Sequence, residues 1–223
     1  MKTLKRPKQR LSPAEKERVA ELFRCFSETV EDPRTELEFK DPYTLVVAVA
    51  LSAQATDKSV NKATRELFAV ADTPETMLAL GEERLIGYIA SIGLFRTKAR
   101  NVIRLSQIVL HEHGGKVPLE REALMALPGV GRKTASVVLN ELGVEPAIAV
   151  DTHVFRVSHR LKLSAGKTPD DVEHDLMAIV PQPYLTRAHH WLILHGRYTC
   201  VARRPKCEVC LVRDLCPSRD LFI

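Results

Sequence analysis

Apolar positions recur with the spacing of a helix almost throughout this chain. Val19, Leu22, Phe23 and Phe26 fall at i, i+3, i+4 and i+7 and mark one buried helical face. Ahead of them, Ser12-Pro13-Ala14-Glu15 reads as a capping box with proline at the first helical position. The same reasoning predicts helices at about 42–53, 57–70, 74–80, 82–91 and 96–112, the last stopped by Gly114-Gly115. More follow at roughly 120–126, 132–142, 151–162, 170–179 and 183–195. The β-branched run Leu45-Val46-Val47-Ala48-Val49 would suit a buried strand, but Asp41-Pro42 before it is a helix start. No strand pattern survives. Many helices with short connections imply a compact all-α fold, with no internal repeat or low-complexity linker.

Composition adds limits. The 223 residues allow one or two domains, and 45% hydrophobic with 27% charged residues is ordinary globular composition. The longest apolar stretch, Tyr43 to Leu51, is too short to span a bilayer, so no membrane segment is expected. The basic N-terminus has no apolar run behind it to direct export. A net charge of +5 leans only weakly toward a polyanionic partner. Its distribution is more telling. Seven basic residues lie between Lys2 and Arg18, and Arg197, Arg203, Arg204, Lys206, Arg213 and Arg219 surround a group of cysteines.

That group is Cys200-x6-Cys207-x2-Cys210-x5-Cys216, and the rest of the chain holds one further cysteine, Cys25. Four thiolates in so short a window can enclose a metal centre. Spacing alone admits three readings: an iron–sulfur cluster, structural zinc, or disulfides. Zinc sites more often show two short pairs separated by a longer loop, and disulfides need an oxidising compartment.

Two other places carry candidate chemistry. Leu127-Pro128-Gly129-Val130-Gly131 lies between two predicted helices, and Arg132-Lys133-Thr134 begins the second. Two glycines there let the backbone turn and leave amides facing outward, a ready anion site. An ordinary turn is the competing account. Lys133 stands in the first helical turn, where the macrodipole and Arg132 both disfavour a cation, conditions that favour a nucleophilic amine. Further on, Ala149-Val150-Asp151-Thr152-His153-Val154 places Asp151 at a helix start. It is an N-cap on its own terms, and facing a cleft it could stabilise a developing cation or accept a proton. His153 reads as a polar group beside that cap.

Taken together, Leu127 to Lys133, Val150-Asp151-Thr152-His153-Val154-Phe155-Arg156 and the four-cysteine tail resemble the endonuclease III family. These are the iron–sulfur members of the helix–hairpin–helix DNA glycosylase superfamily. Leu51-Ser52-Ala53-Gln54-Ala55-Thr56-Asp57, Ile92-Gly93-Leu94 and the run from His189 to Cys200 also resemble that family, so the likeness spans about residues 15–217. The resemblance implies a two-lobed all-α protein. A six-helix barrel domain would occupy 35–145, with its helix–hairpin–helix motif at about 120–143. An iron–sulfur domain would join 1–34 to 146–223, with a [4Fe-4S] cluster on Cys200, Cys207, Cys210 and Cys216 in the loop 200–216.

The family's activity implies a bifunctional DNA glycosylase and AP lyase. Lys133 would be the nucleophile, and Asp151 would stabilise cationic character at the sugar. Gln54 and Leu94 match positions that fill the gap left by a flipped nucleotide. Gly129, Gly131, Arg132, Thr134, His153, Arg203, Arg204 and Lys206 would contact DNA. The expected partner is double-stranded DNA bearing damaged pyrimidines or abasic sites, bound by a monomer. The compact form without targeting extensions fits a bacterial cytoplasmic protein working at the nucleoid. Two rivals are a monofunctional glycosylase of the same superfamily and a non-catalytic iron–sulfur DNA-binding protein. The presence of Lys133, and a chain ending seven residues after Cys216, both favour the bifunctional enzyme.

Overall fold

A computed structural model describes residues 11–221. Most of the basic N-terminal segment, including Lys2, Lys5, Arg6, Lys8 and Arg10, lies outside them. Among the described residues the regular structure is helical, with no strand. The α-helices are α1 (Pro13–Thr29), α2 (Pro42–Ser52), α3 (Asp57–Phe68), α4 (Pro74–Leu80), α5 (Glu82–Ile89) and α6 (Phe95–Glu112). They continue with α7 (Arg121–Ala126), α8 (Arg132–Glu141), α9 (Thr152–Arg160), α10 (Pro169–Ile179) and α11 (Leu185–Tyr198).

Local chemistry starts these helices. Ser12, Asp41, Thr73 and Thr168 each cap a helix with proline in its first turn and with a reciprocal bond from the third residue. The β-branched run at 45–49 is part of α2, where Tyr43 to Leu51 are all buried. A helix apolar on all sides belongs inside a helical layer, and α2 packs on α3, α6 and α8.

The chain divides into two compact units. One is the continuous stretch Thr35–Glu145, and the other joins residues up to Arg34 to those from Pro146 onward. The continuous unit holds α2 to α8 around a core that includes Leu45, Leu67, Met77, Leu85, Leu105 and Leu139. In the other unit, α1 packs on α11, α11 on α9, and α9 on α10. Its core gathers Phe23, Phe26, Val154, Leu176, Trp191 and Leu192. There the Trp191 indole donates to the Val30 carbonyl at 2.8 Å, and Arg18 donates to the carbonyls of Leu161 (3.0 Å) and Leu215 (3.2 Å). These bonds tie α1 to segments more than a hundred residues away in sequence.

Candidate functional site

Within the unit 35–145, three loops carry the predicted residues. The turn between α7 and α8 is closed by the Val130 amide donating to the Leu127 carbonyl at 3.0 Å, with both side chains buried. Gly129 takes φ +83°, and a Cβ there would stand 3.2 Å from Cβ of Asn101 on α6. Glycine is required by both backbone and packing. Gly131 differs: its φ is −88° and a Cβ would meet nothing within 4 Å. The protein itself asks for no glycine there. Gly131 caps α8 without a side-chain hydrogen bond of its own. Arg132 and Lys133 are exposed beside it and Thr134 is half-buried.

The other two loops hold backbone strain. Gln54 (φ +56°) and Leu94 (φ +59°) are left-handed, a conformation that costs a non-glycine residue roughly 1–2 kcal/mol. Both are exposed, Leu94 at 63%. The loops are neighbours, since a Cβ on Gly93 would lie 4.0 Å from the Gln54 carbonyl oxygen. Two apposed loops each holding an unfavourable residue outward are a pattern found at binding sites.

Asp151 belongs to the other unit. As N-cap of α9, its Oδ1 accepts from the amides of His153 and Val154, both at 2.8 Å. Among the described residues no hydrogen bond to Oδ2 is found, so half of the carboxylate is uncommitted. His153 is half-buried under α11, where Gly196 allows close approach: a Cβ there would sit 2.9 Å from the His153 Cβ. The His153 ring faces Arg156 at 3.3 Å, and Arg156 in turn donates to the carbonyls of Gly196 (2.8 Å) and Cys200 (3.1 Å).

The four C-terminal cysteines are free thiols, each half-buried, and they line one hollow of about 380 Å³ of empty volume, part of it open to solvent. Burial, followed by the three neighbouring sulfurs, pushes the Cys210 thiol up to about 11, against an opposing bond from the Val212 amide. Cys216 is raised for the same main reason, and the Ser218 amide opposes that shift. For Cys210 and Cys216, burial opposes ionisation, and a cationic centre beside them would favour the thiolates. No set of three or more His, Cys, Asp or Glu side chains among the described residues is placed to hold one metal ion. Four sulfurs lining one hollow are a donor set that fits an iron–sulfur cluster.

The loop ahead of Cys207 exposes Arg203, Arg204 and Lys206. Arg204 is left-handed (φ +55°), and the Lys206 amide closes the loop on the Thr199 carbonyl at 3.0 Å. Arg160 holds this loop from α9. It donates to the carbonyls of Val201 (2.8 Å) and Ala202 (2.9 Å), and approaches the Cys200 sulfur at 3.4 Å. Arg160 and His195, which line the hollow, were not singled out in the sequence, nor were Arg156 and Arg18, which donate to the carbonyls of Cys200 and Leu215. No helix among the described residues is long and apolar enough to cross a membrane.

Comparison with known proteins agrees with this arrangement. Residues 47–182 match the HhH-GPD superfamily of base excision DNA repair proteins, and residues 200–216 match the iron-sulfur binding domain of endonuclease III. Endonuclease III of Rickettsia conorii is 55% identical over 89% of this chain and 94% of its own length. That of Escherichia coli K12 is 52% identical over 90% and 95%. A solved structure of a trapped endonuclease III–DNA covalent intermediate superposes with a TM-score of 0.86 at 41% identity, covering 95% of this chain and 99% of that one. A non-covalent endonuclease III–DNA complex gives the same TM-score and identity. With matches of this extent over both the helical body and the cysteine loop, the chain belongs to the endonuclease III family.

Proposed function

We infer that this protein is a bifunctional DNA glycosylase and AP lyase of base excision repair, acting through Lys133 and Asp151 on duplex DNA with damaged, oxidised pyrimidines or abasic sites. One observation carries the assignment: an exposed lysine in the first turn of α8, two residues after a glycine whose Cβ position faces open space. A close-lying phosphate explains a glycine that the fold does not require, and fixes the sugar near the amine. The damaged nucleotide is first rotated out of the duplex at a cost of a few kcal/mol in stacking and pairing. Gln54 and Leu94, already held outward, fill the vacated space. Neutral Nζ of Lys133 then forms a bond to C1′ as the C1′–base bond breaks, and the base leaves with a proton. Opening of the sugar gives an imine. Loss of a C2′ proton and cleavage of the C3′–oxygen bond cut the strand on the 3′ side. Asp151 offsets positive charge at the sugar through the oxygen its cap leaves uncommitted.

The protein carries a [4Fe-4S] cluster, and we assign its ligands as Cys200, Cys207, Cys210 and Cys216. Bound there, the cluster fixes the loop that presents Arg203, Arg204 and Lys206 to phosphates. We read residues 35–145 as the barrel domain and the remainder as the cluster domain. A monomer accounts for the site, and a DNA substrate would bring it to the nucleoid of the bacterial cytoplasm.

The test is reductive trapping. Borohydride added to the wild-type protein with an abasic-site duplex is expected to give a covalent adduct on a denaturing gel. Absence of an adduct from DNA-binding, cluster-loaded protein would remove the lyase assignment. Two smaller results are expected alongside. Gly131→Ala should lower the melting temperature only slightly, since alanine is a poorer N-cap than glycine, and should weaken DNA binding. Gly129→Ala should destabilise by about 1 kcal/mol or more, because of its positive φ and the contact with Asn101. Neutralising Arg203, Arg204 or Lys206 singly should lower the log–log salt slope of DNA binding by about one unit each, read by titration at several ionic strengths.

A further inference from the structure

His195 lies on α11 with 5% of its surface exposed, and its ring lines the hollow of the four cysteines. Nε2 is 3.8 Å from Sγ of Cys210, while Nδ1 is buried and has no partner. Phe26 meets the ring edge-on at 5.2 Å between centroids. Among the described residues the sulfur is the one polar partner of this imidazole. A buried N–H without an acceptor is costly, so the ring proton belongs on the nitrogen that has one. Once Cys210 is a metal-bound thiolate, its sulfur can only accept, and Nε2 must be the donor. The same residue also fixes the geometry of the loop: its backbone carbonyl accepts the Thr199 amide at 3.0 Å and the Cys200 amide at 2.7 Å.

We propose that His195 is a positioning residue for the iron–sulfur centre, donating from Nε2 to Cys210 Sγ and holding the cluster at a higher reduction potential than the sulfur would give alone. The proposal rests on the assignment of Cys210 as a cluster ligand. A donor to a ligating sulfur withdraws electron density and stabilises the more reduced cluster, and such bonds are among the main controls of Fe–S potentials. Arg160 beside Cys200 supplies a second, charged donor that is unchanged in the variants below.

The experiment is voltammetry of the full-length, cluster-loaded protein and of His195→Leu and His195→Gln. Leu fills the apolar pocket without a donor, and Gln keeps an N–H at similar reach. The Leu variant is expected to shift the one-electron equilibrium about tenfold toward oxidation, about 59 mV, with Gln restoring most of it. A Leu variant with full iron and sulfide content and an unchanged potential overturns the proposal. Should Leu fail to load, the wild type decides. With 15N-labelled histidine, its paramagnetic cluster should show a weak histidine nitrogen coupling that is lost in the Gln variant. No such coupling overturns the proposal. Failure of the underlying ligand assignment would look different: Cys210→Ala would then keep full iron content and visible absorbance.

Discussion

Lys133→Ala is expected to lose strand cleavage at an abasic site by at least about a thousandfold while DNA affinity stays within a few-fold of wild type. Removing the nucleophile from a catalytic group commonly costs more than this, because the remaining groups can bind but not react. The fold should not register the change. Lys133 is exposed in the first turn of α8, where surface substitutions are usually within about 0.5 kcal/mol and losing a cation from a helix N-terminus is mildly favourable. Single-turnover cleavage and a binding titration on the same duplex separate the two effects. Cleavage surviving in the variant would sink the assignment of this lysine. Parallel loss of binding and cleavage would make it a phosphate contact.

Asp151→Asn gives the second large effect, and the capping geometry makes it informative. Asparagine caps a helix about as well as aspartate, and its side-chain oxygen can take over both 2.8 Å bonds to His153 and Val154. The melting temperature should therefore stay nearly constant. Removing the charge should slow base release by on the order of 10² to 10⁴-fold. Asp151→Ala should show the same loss of rate together with about 1 kcal/mol of destabilisation from the missing cap. Near-normal base release by the stable Asn variant would reduce Asp151 to a structural cap.

How legible each part was follows from its physics. The helices were legible because caps and apolar spacing are local: Ser12 with Glu15 and Asp41 before Pro42 place two of them within a residue. The run at 45–49 could be read as helix only from its cap, since burial on all sides erases periodicity. Lys133, Asp151 and the four cysteines stood out by chemical type and spacing. Arg160 did not, because its role is set by carbonyls forty residues away, at Val201 and Ala202. The left-handed backbones of Gln54 and Leu94 were equally hidden, since neither residue type predicts positive φ. His195 lies within a run that resembles the family, but its sulfur contact needs the fold. The short 3₁₀ turns Gln182–Tyr184, Cys207–Val209, Arg213–Leu215 and Arg219–Leu221 are too brief to leave a periodic signal.

Because α1 is bonded to Leu161, Trp191 and Leu215, its partners leave the ribosome long after it does. Residues 35–145 form a unit whose contacts are complete once that stretch has been made, so it can fold while synthesis continues. Helix α1 meanwhile waits with Phe23 and Phe26 uncovered until more than a hundred further residues have emerged. Its capping box, which is satisfied within its own first turn, keeps the helix start defined during that interval. Vectorial synthesis therefore gives the two units different histories: one matures early, and the other closes only after the C-terminal segment arrives.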